Sequence, residues 1–447
     1  MPKNKLHDLS RTIIDRGYLK HLKYLHADSN KGSWYYYDGK KWVEDCAKEH
    51  EISIKSFYID HIDFKPTDAD YITDLPKLSS CQQWNNILRI TRTEPEISCV
   101  TDDFDAKLEL LNLENGTYDL ATAEYREHRA CDMLTKLMGV EYIPEAKCTR
   151  FIKFMDEVFS GDTSVIEYLH RYLGYCLSDS TAEQCFLFFW GSGSNGKSVL
   201  TELLYHIFGD FGKKISNQAI TYSRRGSERD RQDQIKASLK NVRLAFATET
   251  GQNMRLDEAA VKDMTGGETI IARDLYASYE SFTPVFKLIM SGNYQPEIVG
   301  TDLGIWRRIR LISFNRTFQG DDIDPQLLNT LLKERNGIFQ WILEGYHLWK
   351  ESGLGELPES IRDDIADYRS DMDILGQYIE EKLVQESTAI TETEVIFNDY
   401  RNWMEENGHS KIVTKRKLTS ELMKRGFVRD NTNIHKPKFI GIGLLAA

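Results

Sequence analysis

"CFLFFWGSGSNGKSVLTELLYHIFG", Cys185–Gly209, decides the fold. An apolar run enters a loop holding Gly191, Gly193 and Gly196, then passes Lys197 and Ser198 into a helical pattern. Gly191, Gly196, Lys197 and Ser198 fit the G-x4-G-K-[ST] spacing of a P-loop. Glycines there let the backbone curl until its N–H groups converge on phosphate oxygens. The cradle runs through Gly191, Ser192, Gly193, Ser194, Asn195, Gly196, Lys197, Ser198 and Val199. Lys197 reaches the β- and γ-phosphates, the Ser198 hydroxyl suits Mg²⁺, and the positive end of the next helix faces the anion. The helix carries Val199, Leu200, Leu203, Leu204, Ile207 and Phe208 on one face and stops at Gly209. ATP with Mg²⁺ is the expected cofactor.

Further apolar runs follow at Val242–Ala247, Phe286–Met290 and Ile309–Ile312, with polar or helical stretches between most of them. Continuous apolar strands of this kind predict an α/β fold with a parallel sheet covered on both faces. Ligands bind at the carboxyl ends of such strands. Glu249 ends one run and is a candidate to orient the attacking water or hold Mg²⁺. Asn293 ends another, and its amide suits the same water. Arg307 and Arg308 stand just before the last run and are candidate arginine fingers toward a neighbouring subunit. In Tyr222–Arg243 the arginines Arg224, Arg225, Arg229 and Arg231 alternate with acids. That stretch reads as a solvated loop, or as one that contacts DNA or the next subunit.

These motifs together resemble a superfamily 3 helicase of the phage and plasmid primase–helicase group, which is related to the poxvirus primase–helicase. The matching stretches are "GSGSNGKS", the segment from "LAFATET" to "MSGNYQP", and "GIWRRIRLISF"; upstream, "LLNLENGTYDLATAEYREH" and "FIKFMDEVFSGDTSVIEYLHRYLGYCL" match the domain that precedes the ATPase. The resemblance implies an AAA+ ATPase in a hexameric ring, moving 3′ to 5′ on single-stranded DNA and unwinding forked duplex. It assigns Lys197 and Ser198 to phosphate and Mg²⁺, Glu249 to the Walker B acid, Asn293 to the sensor, and Arg307 or Arg308 to the finger. It also makes Lys262–Phe282 the segment of the pore hairpin, with Lys262, Arg273, Tyr276 and Tyr279 as candidate DNA contacts. The sequence departs from many relatives in following Glu249 with Thr250 rather than a second acid.

Upstream, Asp38-Gly39 and Asn115-Gly116 read as tight hairpin turns, because such pairs accept positive φ. The aromatics around the first turn read as core. Thr149–Leu177 has helical apolar spacing. Downstream, "TEVIFNDYRNWMEENG" reads as a helix stopped by Gly408, and "TKRKLTSELMKRGF" as one capped by Thr414. A polar-tipped hairpin closes the chain, so the module reads as winged-helix-like, with Lys415, Arg416 and Lys417 on a basic face. The expected segments are 1–105 (α/β), 106–180 (helical, before the ATPase), 181–325 (ATPase core), 326–372 (helical connector) and 373–447 (winged-helix-like).

Composition excludes several classes. The 447 residues carry a net charge of −12, with 41% hydrophobic and 28% charged side chains. No run nears the roughly 18 apolar residues of a membrane span, and the N-terminus has no signal core. The seven cysteines lack CxxC spacing and read as reduced thiols. A cytoplasmic, phage- or mobile-element-encoded protein is expected. Asp68 and Asp70, like Asp103 and Asp105, have the DxD spacing of a primase metal site but lack its strand and histidine context. Priming is therefore expected from a separate primase or polymerase. The expected function is an ATP-dependent replicative DNA helicase. The rivals are an ATP-dependent origin-binding initiator or helicase loader, and a P-loop small-molecule kinase.

Overall fold

Five strands form the central sheet of the computed structural model: β1 (Phe186–Trp190), β2 (Gly212–Ser216), β3 (Leu244–Thr248), β4 (Lys287–Gly292) and β5 (Ile309–Ser313). Their order is β5-β1-β4-β3-β2, and every neighbouring pair is parallel. All five carboxyl ends therefore share one edge. Phe186, Leu187, Phe188 and Phe189 of β1 are buried. Each large apolar side chain so placed contributes roughly 1.5–3 kcal/mol over exposure. The structure describes residues 3–26, 32–61, 81–222, 227–248, 254–273, 279–298, 303–409, 412–430, 432 and 436–445.

Helix α1 (Thr149–Val158) and helix α2 (Thr163–Tyr175) precede the sheet, and α3 (Lys197–Phe208) follows β1. Asp162 caps α2 by accepting from the N–H groups of Ser164 and Val165. Helix α4 (Arg335–Ser352) packs on α2, with the His170 and Trp341 rings stacked 4.1 Å apart. Helix α5 (Glu359–Met372) comes next. Ser227–Ala237 is a helix, whereas a loop, solvated or in contact with DNA or the next subunit, is expected there; Arg224 and Arg225 lie outside the described residues. Gln232 of that helix donates to the carbonyls of Gln218 and Thr221, a tie across sequence that charge alternation does not reveal.

The N-terminal region is a four-stranded sheet in the order Trp42–Glu44, Ser33–Tyr37, Leu22–Leu25, Ser98–Cys99. Leu9, Ile13, Leu22, Ile54, Phe57 and Ile87 fill its core; of the aromatics around the first turn Trp42 is buried, while Tyr35, Tyr36 and Tyr37 are half-buried. Both hairpin turns differ in detail from expectation. The first is a four-residue loop, Asp38–Lys41, in which the Asp38 carboxylate accepts from the N–H groups of Lys40 and Lys41. The second turns on Glu114 and Asn115, since Leu113 pairs with Gly116. Gly116 is needed for space rather than for φ: a Cβ there would stand 2.5 Å from the Arg126 carbonyl oxygen.

The chain divides into two compact units, Met1–Asp364 and Ile365–Ala447, so the boundaries expected at 105, 180 and 325 fall inside the first. The second unit runs helix (Ile374–Lys382), strand (Leu383–Glu392), helix (Thr393–Glu406), helix (Lys415–Lys424), strand (Val428–Asp430), strand (Lys438–Leu444). The first strand pairs antiparallel with the last, which also pairs with Val428–Asp430. Tyr378, Ile396, Tyr400, Trp403, Leu418 and Leu422 form its core.

Two cations are buried at the amino edge of the central sheet. Lys287 begins β4 and donates to the carbonyls of Ser178 and Val285, with its ammonium 4.5 Å over the Tyr175 ring. Arg243, just before β3, is also buried. Burial pushes the Lys287 pKa down to about 7, and the neighbouring Arg243 charge adds to the effect. The folded value thus lies below the ordinary 10.5. Above the folded pKa and below the unfolded one, the unfolded chain binds a proton that the folded chain does not, so stability rises with pH across that window. Lys287→Met should flatten the rise in urea midpoint between about pH 7 and 9.5, removing up to about 1.4 kcal/mol per pH unit. Equal slopes in wild type and variant would show that Lys287 does not titrate there.

Candidate nucleotide site

The cradle begins where β1 ends. Gly193, Ser194 and Gly196 have φ of 104°, 47° and 91°. Successive left-handed residues of this kind turn backbone N–H groups toward one concavity. Gly191 is held by crowding: a Cβ would lie 2.4 Å from Asn195 Nδ2 and 2.6 Å from the Phe314 carbonyl oxygen. Lys197 is buried, and its Nζ donates to the Gly191 carbonyl at 2.7 Å and to Asn195 Oδ1 at 3.0 Å. Burial holds its pKa below the usual lysine value. The ammonium is thus held inside the loop on two acceptors that a phosphate can replace. Ser198, in the first turn of α3, is exposed.

Neighbouring strands bring the second set of residues to this edge. Gly292 of β4 registers with Trp190 of β1, so Asn293 leaves β4 at the edge where the cradle leaves β1, and it is exposed. Thr248 of β3 registers with Ser291 of β4. Glu249, next in the chain, lies outside the described residues, and among those described no group of three or more His, Cys, Asp or Glu is placed to hold a metal.

Arg307 and Arg308 stand at the other end of β5. Ile309 registers with Phe186 and Ser313 with Trp190. At about 3.3 Å per residue, the strand separates these arginines from their own cradle by roughly 16 Å. The two differ in environment. Arg308 is buried, and it donates from Nε to Thr265 Oγ1 at 3.1 Å and from Nη1 to the Gly304 carbonyl at 2.9 Å. Arg307 is exposed and reaches Gln184 Oε1 at 3.3 Å.

The expected DNA contacts are scattered. Ile270–Ala272 and Glu280–Phe282 form an antiparallel hairpin, and Tyr276 lies outside the described residues. At the loop end of its ladder Arg273 pairs with Asp230 at 2.9 Å, its guanidinium 4.9 Å from the Tyr279 ring centroid. Lys262 lies apart from them, on the helix Glu258–Thr265. In the second unit Thr414 caps the helix Lys415–Lys424. There Lys415 is paired with Glu394, while Arg416 and Lys417 are exposed. Of the DxD pairs, Asp68 and Asp70 lie outside the described residues. Asp103 accepts from the Val100 N–H and Asp105 from the Thr135 N–H, so both carboxylates serve the backbone.

Sequence reasoning missed a wall of the cradle. Asn195 Nδ2 donates to the Phe314 carbonyl at 3.1 Å, and the Phe318 N–H donates to the Ser194 carbonyl at 2.8 Å. On the other side a Cβ at Gly196 would stand 2.9 Å from Val158 Cγ2, at the end of α1. No spacing rule links residues so far apart in sequence.

The chain is similar in sequence to viral proteins that carry helicase or primase names. Residues 15–160 match the family described as D5 N terminal like, and residues 370–436 match Poxvirus D5 protein-like. A candidate helicase, L207/L206 of Acanthamoeba polyphaga mimivirus, is 26% identical over 71% of this chain and 35% of its own length. Candidate helicase 184R of Invertebrate iridescent virus 6 is 27% identical over 60% of this chain and 28% of its own. Candidate primase C962R of African swine fever virus (isolate Warthog/Namibia/Wart80/1980) is 23% identical over 71% and 35%. The chain spans about a third of the length of these relatives. The apo structure of the NrS-1 C-terminal region has the same fold, with a TM-score of 0.52 at 13% identity, over 97% of this chain and 99% of that one. No described helix is long and apolar enough to cross a membrane.

Proposed function

Since the chain belongs to a primase–helicase family related to the poxvirus D5 proteins, we propose that it is the ATP-dependent motor of a replicative DNA helicase. The observation that carries this reading is the placement of polar groups on the sheet. Lys197, Ser198 and Asn293 gather at the carboxyl edge, while Arg307 stands exposed at the amino edge. An arginine so placed serves a phosphate only on another protomer. The hydrolysis site then lies between subunits, and a closed ring, expected to be a hexamer, is the assembly that completes every site.

Within one site Lys197 leaves Gly191 and Asn195 for the β- and γ-phosphates. The backbone N–H groups of residues 191–197 hold the remaining phosphate oxygens. Ser198, with Glu249, would hold Mg²⁺, which neutralises charge on the transferring phosphoryl group. Asn293 positions the water. Arg307 of the neighbour stabilises charge as the γ-phosphate leaves; Arg308, tied to Thr265 and Gly304, holds the turn that presents it.

Hydrolysis is coupled to DNA through the hairpin at 270–282 and through the second unit. Its helix–strand–helix–helix–strand–strand order supports a winged-helix reading, with Arg416 and Lys417 facing phosphates. Translocation from 3′ to 5′ and a priming function on a separate chain complete the proposal. The test is strand separation on a forked duplex. ATP should drive it, a non-hydrolysable analogue should not, and Arg416→Ala with Lys417→Ala should weaken DNA binding and flatten its salt dependence. ATP hydrolysis without strand separation would favour the initiator reading instead.

A further inference from the structure

Gln184 stands just before β1, and two elements distant in sequence meet its side chain there. Its Oε1 accepts from Arg307 Nη2 at 3.3 Å, and its Nε2 donates to the Gly266 carbonyl at 3.4 Å. Only one orientation of the amide serves both, since a guanidinium can only donate and a carbonyl can only accept. Gln184 has a φ of 47°, a left-handed value uncommon for a residue that carries a side chain. Such a backbone persists where its surroundings fix it, and here the Gln184 N–H donates to the Thr181 carbonyl at 3.0 Å.

Gly266 opens the link between the helix Glu258–Thr265 and Ile270–Ala272, the first strand of the hairpin. Three contacts hold this link. Arg308 Nε donates to Thr265 Oγ1 at 3.1 Å, and Gln184 donates to the Gly266 carbonyl. At Gly267, whose φ is 75°, a Cβ would stand 2.5 Å from Thr181 Oγ1. The base of the hairpin and the exposed side chain of Arg307 therefore share a single amide.

Given the roles proposed above for Arg307 and the hairpin, on which this step rests, we infer that Gln184 is a positioning residue that restrains Arg307 until DNA loads the hairpin. A gripped strand then accelerates hydrolysis in the neighbouring protomer's site. The amide supplies the two states. With the Gly266 carbonyl in place, both its ends are held, and Arg307 has a fixed acceptor on its own chain. A strand that pulls on the hairpin shifts Gly266 and frees one end. The glutamine side chain regains rotamer freedom, and the entropy of ordering it again opposes the bond to Arg307. The guanidinium passes to the phosphate across the boundary, which is charged and therefore the stronger acceptor. Linkage requires the converse as well, so a finger engaged on ATP next door favours the loaded hairpin.

The experiment measures kcat and KM for ATP with and without saturating single-stranded oligothymidylate, whose binding is followed by fluorescence anisotropy. It uses wild type, Gln184→Ala, Gln184→Glu, Arg307→Ala, the double variant Gln184→Ala/Arg307→Ala, and Lys197→Ala as the blank. Wild-type kcat should rise with the oligonucleotide. Gln184→Ala should raise the DNA-free kcat about fivefold, the scale of one hydrogen bond, and leave the oligonucleotide little to add. Its KM should barely move, because Gln184 stands at the edge of the sheet opposite its own cradle. Gln184→Glu should do the reverse. A carboxylate holds the guanidinium by a charge-assisted bond and lowers the DNA-free kcat below wild type. It cannot donate to Gly266, so the oligonucleotide should not restore the rate. The double variant should match Arg307→Ala, because the gain passes through Arg307. A merely structural role would shift both Gln184 variants the same way, and that result, or wild-type stimulation retained in Gln184→Ala, overturns the inference. Wild-type hydrolysis unchanged by bound oligonucleotide also overturns it and leaves the ATPase reading standing. Absence of any Lys197-dependent hydrolysis overturns both.

Discussion

Lys197→Ala should reduce ATP hydrolysis by at least about 10²-fold, the usual loss when one preorganised charge at a reacting group is removed. Lys197 donates inside the loop to the Gly191 carbonyl and to Asn195 Oδ1, and its charge is held in a desolvated position. The ammonium is therefore already aimed at the anion before nucleotide arrives. Removing it leaves the Gly191 carbonyl and Asn195 Oδ1 without that donor, a loss of about 1–3 kcal/mol offset in part by no longer burying a charge. Thermal unfolding without nucleotide should fall modestly, and the shift produced by ATP should shrink as well. A ligand at 100 times its Kd stabilises by about 2.7 kcal/mol, and weaker binding forfeits most of that. Lys197→Arg should fail as well, since a planar fork does not occupy the place of a compact ammonium. Near-normal turnover in Lys197→Ala would remove the P-loop from the mechanism.

The cradle was legible because its chemistry is local. Three glycines, a lysine and a serine at fixed spacing dictate a curled backbone, and the structure gives Gly193 and Gly196 the left-handed φ this requires. The parallel sheet was legible for a related reason, since strands buried on both faces read as unbroken apolar runs. The helix at 227–237 was not, because Ile235 and Ala237 are its only apolar residues and it is anchored by Gln232 reaching carbonyls elsewhere in the chain. Strand Leu383–Glu392 was missed for want of alternation: half of "LVQESTAITE" is exposed, four of those residues in a row, and its pairing shifts register between Gln385 and Ile390. The Asn115-Gly116 turn shows how a correct element hides a different cause. Glycine was read as the source of a positive φ, but its role is to clear the neighbouring strand.

Arginine provides the sharpest division between the two neighbours that sequence could not tell apart. Arg307→Ala should lower turnover by about 10³–10⁵-fold, the effect of an arginine supplied to a phosphoryl-transfer site. Binding of ATP should survive, because the residue stands at the opposite edge of the sheet from its own cradle. Arg308→Ala should instead destabilise the fold. It would remove the guanidinium's hydrogen bonds to the Thr265 hydroxyl, which keeps its own bond to the Val261 carbonyl, and to the Gly304 carbonyl, at a cost of about 1–3 kcal/mol. Mixing separates a shared site from a self-contained one. Arg307→Ala protomers keep an intact Lys197, and Lys197→Ala protomers keep an intact Arg307. In a mixed ring each can complete the other wherever they adjoin in the right order, so two nearly inactive preparations should together recover part of the wild-type rate. That recovery requires donation across a protomer boundary. A mixture no more active than its components, or full activity in Arg307→Ala alone, would mean that hydrolysis is completed within one chain, and the ring would lose its role in the chemistry.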